Sequence, residues 1–167
     1  PSEGIYTEKR SKFLAFDIPV ESVEEIKDIV AKKKKKYYDA RHVCYAYMLG
    51  AERTEFRAND NGEPSGTAGK PILGQINSNE LTNILIIVIR YFGGIKLGTS
   101  GLIVAYKQAA AEAIAAAEII EKIYEQYPVA DLPLGTIEID LADADAVKMF
   151  TGLDSAEKIT EAAAFEP

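Results

Sequence analysis

Residues Asn83 to Ala117 constrain this chain more than any other stretch. Six consecutive apolar residues, Ile84-Leu85-Ile86-Ile87-Val88-Ile89, are too few for a helix of ordinary length. Their lack of alternation suits a strand buried on both faces. Arg90-Tyr91-Phe92-Gly93-Gly94-Ile95-Lys96-Leu97-Gly98-Thr99-Ser100-Gly101 follows, and then an alanine-rich run. In that run Leu102, Tyr106, Ala109, Ala113 and Ala116 recur at helical spacing, which predicts an amphipathic helix. Between strand and helix lie four glycines and two hydroxyls, with Arg90 and Lys96 flanking the first glycine pair. A glycine turn opening a helix has free amides that suit an anion.

Upstream, Ile5-Tyr6 leads into Lys9-Arg10-Ser11-Lys12 and then Phe13 to Ile18, which reads as a strand ended by Pro19. Ser22 is placed to cap a helix with Glu25 three residues on, and Val23, Ile26 and Val30 supply its stripe. That helix runs into Lys32-Lys33-Lys34-Lys35-Lys36, either a solvated helix end or a phosphate-contacting patch. His42 to Leu49 and Glu52 to Ala58 read as a hairpin about Gly50-Ala51. Asn59 to Gly66 is a loop by composition, and Thr67 is placed to cap a short helix with Pro71 in its first turn. Beyond the alanine-rich helix, strands are expected at Ile119–Tyr127 and Gly135–Leu141. Short helices are expected at Ala144–Phe150 and Ser155–Ala164.

Two loops hold the candidate chemistry. In the first, Gly93, Gly94, Gly98, Thr99 and Ser100 form an anion cradle flanked by Arg90, Tyr91 and Lys96. The alternative is a tight connection that caps itself through Thr99 or Ser100. It lacks the Gly-Lys-Ser/Thr spacing of a phosphate loop, so nucleotide hydrolysis is not indicated. In the second loop, Asp60 or Glu63 would be a general base and Ser65 a nucleophile. The structural alternative is a turn at Asp60-Asn61-Gly62 with Ser65 and Thr67 as caps. His42 is the only histidine and shares a strand face with Cys44. Adjacent strand side chains seldom make a good nucleophile–base pair, and too few further ligands are in view for zinc, so neither metal nor cofactor is assigned.

Three blocks resemble the IMPACT family, whose bacterial members are called YigZ-like. They are Ala40-Arg41-His42-Val43-Cys44-Tyr45-Ala46-Tyr47, the run Asp60 to Leu73, and Arg90 to Gly98, in the family's order. Ser100 departs from the glycine common there. The resemblance implies an α+β fold. Residues 1–123 would form a domain like the second domain of ribosomal protein S5, a sheet with two helices on one face. Residues 124–167 would be a shortened or incomplete ferredoxin-like region, similar to the fifth domain of elongation factor G. It also implies a cytoplasmic, translation-associated regulator that is not an established enzyme. Its partners would be RNA or the ribosome, or a translation-linked protein. The contact surface would centre on Arg90, Tyr91, Lys96 and the glycine loop, with Asp60, Glu63, Ser65, Thr67 and His42 in the same cleft. A phosphate-binding enzyme on the same fold and a purely protein-binding regulator are the alternatives.

Composition agrees with this class. At 47% apolar residues the chain can build a core. Its apolar runs are too short for a membrane span, and one cysteine suits a reducing compartment. The net charge of -7 is uneven: residues 1–123 carry 17 Lys+Arg against 16 Asp+Glu, whereas residues 124–167 carry 2 against 10. A near-neutral body can still present a local basic patch.

Overall fold

The computed structural model describes residues 1–119. The strands and helices expected beyond them, and the ferredoxin-like region, lie outside the described residues. The elements are β1 (Ser2–Glu8), β2 (Ser11–Pro19), α1 (Val23–Lys36), β3 (His42–Leu49), β4 (Glu55–Asn59), α2 (Gly69–Ser78), β5 (Ile84–Tyr91) and α3 (Gly98–Ala115). The five strands form one sheet in the order β1-β2-β5-β3-β4, every neighbour antiparallel.

The apolar run is the middle strand, and all of Ile84 to Ile89 is buried. Alternation along β5 divides it between two cores. Ile84, Ile86 and Val88 join Ile72 and Ile76 of α2 and Leu102, Ala105, Tyr106 and Ala109 of α3. Leu85, Ile87 and Ile89 join Ile26 and Val30 of α1. Two helices on one face is therefore right for α2 and α3, but α1 covers the opposite face. A strand apolar at every position leaves no face for water, and each side chain buried there contributes about 1.5–3 kcal/mol relative to exposure.

Local expectations held where the signal was local. Ser22 caps α1 by accepting from the Glu25 amide at 3.2 Å, and Glu25 reaches back to the Glu21 amide at 3.0 Å. On α3, Leu102, Tyr106, Ala109 and Ala113 are buried as expected, whereas Ala116 falls at the C-cap and is exposed. The second hairpin strand begins at Glu55 rather than Glu52, because the turn extends through Arg53 at φ 56°.

Strand β1 was not expected. It pairs with β2 through a two-residue turn in which Lys9 and Arg10 both take positive φ, without the Asn-Gly pair that usually marks such turns. Gly4 lets β1 lie against α3. A Cβ there would stand 2.5 Å from the Ala113 nitrogen. The small side chains of the alanine-rich helix make the same close approach feasible from the other side.

Candidate functional site

The Asp60–Gly69 loop is held by its own first residue. The Asp60 carboxylate accepts from the amides of Gly66 at 2.9 Å, Ala68 at 3.2 Å and Gly69 at 2.8 Å. It therefore satisfies the N-terminal amides of α2 and places a negative charge at the positive end of the helix. The cap expected from Thr67 is supplied by Asp60 instead: the Thr67 hydroxyl donates to the Pro64 carbonyl, and no side chain of the N-cap residue Ala68 bonds the helix. Asn61 and Gly62, both at positive φ, make the tight turn closed by the Glu63 amide on the Asp60 carbonyl. That turn drives Glu63 inward.

Glu63 is the hub of a buried polar cluster. Arg90 Nη1 donates to both its carboxylate oxygens at 2.9 Å. The Tyr106 hydroxyl donates to Oε2 at 2.6 Å, and His42 Nε2 lies 3.1 Å from Oε1. The other ring nitrogen, Nδ1, lies 2.9 Å from the Asn61 carbonyl. Both nitrogens face acceptors, so only the doubly protonated ring donates to both at once. The Arg90 guanidinium lies over the rings of Phe13 and Phe92, and its Nε has no hydrogen-bond partner among the described residues. Burial raises the pKa of the Tyr106 phenol well above its ordinary value, with the neighbouring thiol and carboxylate adding to the rise.

Cys44 belongs to this cluster but not as a nucleophile. It is fully buried, its thiol donates to the Asp60 carbonyl at 3.1 Å, and its sulfur lies 3.4 Å from the Tyr106 hydroxyl. Burial pushes the thiol up to about 12, far from the thiolate that attack requires. Among the described residues, no three His, Cys, Asp or Glu side chains are placed to hold a metal.

The two candidate loops meet at one point, the Arg90–Glu63 pair, and this changes what Arg90 can do. It was expected to face a ligand; its Nη1 is committed to an internal carboxylate and the residue is 6% exposed. Asp60, Glu63, Thr67 and His42 gather with it as a brace. Ser65 stays on the surface with no side-chain bond among the described residues. Tyr91 donates its hydroxyl to Asp39 at 2.9 Å, tying the α1–β3 connection to the end of β5. Gly93 packs on the β1–β2 turn so closely that a Cβ would stand 2.1 Å from the Arg10 carbonyl carbon. Gly98, Thr99 and Ser100 open α3 exposed, behind the N-cap residue Leu97, whose side chain makes no capping bond; the self-capping alternative through Thr99 or Ser100 does not occur. Sequence reasoning did not join Tyr106 to Glu63. The one available signal was a lone hydroxylated aromatic on the buried stripe of an otherwise aliphatic helix.

One end of the sheet is rich in exposed cations. Lys12 pairs across from Tyr91, and His42 across from Arg90, so Lys9, Arg10 and Lys12, then Arg41, then the Gly93–Lys96 loop all emerge together. Lys9, Arg10, Lys12, Arg41 and Lys96 are all exposed, and none forms an ion pair among the described residues. Phe92 is 43% and Tyr38 85% exposed beside them.

The chain is similar to known proteins over most of the described domain. The Impact N-terminal domain profile matches residues 9–114. IMPACT family member YvyE of Bacillus subtilis (strain 168) is 39% identical over 114 residues, covering 68% of this chain and 52% of that protein. IMPACT family member YigZ of Escherichia coli (strain K12) is 41% identical over 100 residues, covering 59% and 49%. A crystal structure described as a hypothetical protein superposes with a TM-score of 0.66 at 36% identity, covering 68% of this chain and 56% of that one. The chain spans about half the length of the curated relatives it matches. With the profile spanning most of the described domain and relatives at 39% and 41% identity, the chain belongs to the IMPACT family as a YigZ-like member.

Proposed function

We propose that this chain is a translation-associated regulatory protein that binds structured RNA, ribosomal RNA included, through the cationic end of its sheet. The observation that carries this reading is the convergence of Lys9, Arg10, Lys12, Arg41 and Lys96 from three separate segments beside two exposed aromatic rings. Cations that project without internal partners suit phosphates, and exposed rings suit unpaired bases. Tyr91, Gly94, Gly98, Thr99 and Ser100 form the backbone-rich part of the surface, sterically open at Gly94 and Gly98, while Gly93 seats the loop on the β1–β2 turn. Arg90, Glu63, Asp60, Thr67 and His42 hold that surface in shape from beneath. Family membership supports the translation-linked role.

Gel-shift titrations with a structured RNA at several salt concentrations test this. Each phosphate contact removed lowers the slope of log K against log salt by about 0.7–0.9. The Lys9→Ala/Arg10→Ala/Lys12→Ala variant is expected to lose about two to three in slope if all three touch phosphate. An unchanged slope, or no RNA binding by the parent chain, overturns the reading. Saturable binding of a small phosphate ester without RNA binding would favour the enzyme alternative.

A further inference from the structure

The face of the sheet opposite Glu63 carries a groove of about 210 Å³ between α1 and the β3–β4 hairpin. It exists because α1 packs on β2, β5 and β3, while β4 continues the sheet beyond the helix. Its floor is apolar, with Val30, Ala31 and Tyr47, and its rim carries Lys27, Lys34 and Arg57. No carboxylate lines it, and none of these three cations forms an ion pair among the described residues. Two of their neighbours on α1 are already engaged: Lys32 pairs with Asp28 at 2.8 Å, and Lys33 sits 3.7 Å above the Phe16 ring. Lys27 and Lys34 are seven residues apart, on one side of the helix and about 10 Å from each other.

Three cations around an apolar floor repel one another, and a ligand that brings carboxylates together with an apolar side chain relieves that repulsion. A nucleic acid is the poorer fit. Tyr47 is 8% exposed, so its ring offers no open face for a base, and the Tyr45 hydroxyl is within reach of the Asn59 amide at 3.5 Å. We infer that this groove docks a short acidic amphipathic helix of a partner protein. Carboxylates seven residues apart on that helix would meet Lys27 and Lys34, a third would meet Arg57, and a leucine or phenylalanine between them would seat over Ala31. This surface shares no residue with the cationic end assigned to RNA, and either assignment can fail without the other.

The probe is a fluorescein-labelled 14-residue helical peptide carrying glutamates at that spacing with leucines between, titrated against the full chain by fluorescence anisotropy. Binding in the micromolar range that weakens with salt is expected. The exposed-site variant Lys27→Glu/Lys34→Glu is expected to weaken it at least about tenfold, and a peptide with lysines in place of glutamates is expected to bind that variant instead. Ala31→Phe, which fills the floor, should abolish binding; circular dichroism and the urea midpoint confirm that each variant folds. No binding up to millimolar peptide, or affinity indifferent to these substitutions, overturns the inference. So does displacement of the peptide by a short single-stranded RNA, which gives the groove to nucleic acid. Self-association of the chain abolished by Lys27→Glu/Lys34→Glu gives it to a second copy and equally overturns the inference.

Discussion

Replacing Arg90 by methionine separates its structural role from any role in binding. Arg90 and Glu63 are 6% and 8% exposed, and the two 2.9 Å bonds between them lie beneath α2 and α3. Removing one member of a buried pair strands the other, which costs about 3–5 kcal/mol. Here Tyr106 and His42 still bond the stranded carboxylate, so the lower end, about 3 kcal/mol, is expected for Arg90→Met. Glu63→Gln should cost a similar amount, because it leaves the guanidinium buried with a neutral partner. The double replacement Arg90→Met/Glu63→Met removes both charges. It should cost less than the sum of the singles, by about 2–3 kcal/mol of coupling. A domain of this size has a stability of about 5–15 kcal/mol, so every variant stays measurable. Urea unfolding followed by circular dichroism gives the four free energies. A cost below about 1 kcal/mol for Arg90→Met, or strict additivity in the cycle, refutes the view that this pair clamps the two loops. The folded fraction of Arg90→Met should retain the parent's RNA salt slope, since this guanidinium is not one of the phosphate contacts.

The remaining expectations concern single sites. Tyr106→Phe deletes the 2.6 Å bond to a buried carboxylate and should destabilise by about 1.5–3 kcal/mol in the same urea assay. Gly93→Ala forces a Cβ into the Arg10 backbone and should cost about 1–3 kcal/mol, with broadened amide signals for the β1–β2 turn in NMR spectra; a neutral result would mean that the loop lifts freely off the turn. Asp17 is buried, and burial raises its carboxyl from 3.8 to about 6. The folded chain then holds this proton more tightly than the unfolded chain, so the residue's contribution to stability declines as pH rises from about 4 through 6 and is level above that. Asp17→Asn should remove that decline. The gain near neutral pH is at most about 3 kcal/mol, and about 1–2 after solvent screening, read as the difference between variant and parent urea midpoints at pH 4.5 and 7.5.

What the chain discloses without its fold is whatever rests on neighbours in sequence. The β5 run, the α3 stripe, the Ser22–Glu25 cap and the three family blocks are all of this kind, and each was legible. Strand β1 was not, because its turn uses Lys9 and Arg10 at positive φ and its glycine serves a helix more than a hundred residues away. The α1 layer was missed for a related reason. An apolar stripe says that a helix packs, but not on which face of a sheet. The fate of Arg90 was the largest gap. Its charge and its glycine neighbours suggested a ligand, yet Glu63, 27 residues earlier, reaches it only once the Asp60 turn folds inward and β5 settles between β2 and β3. Composition lists charges, but only long-range pairing decides which are neutralised inside and which remain for water or a partner. Burial makes that choice: an unpaired ion costs several kcal/mol in the interior and almost nothing at the surface.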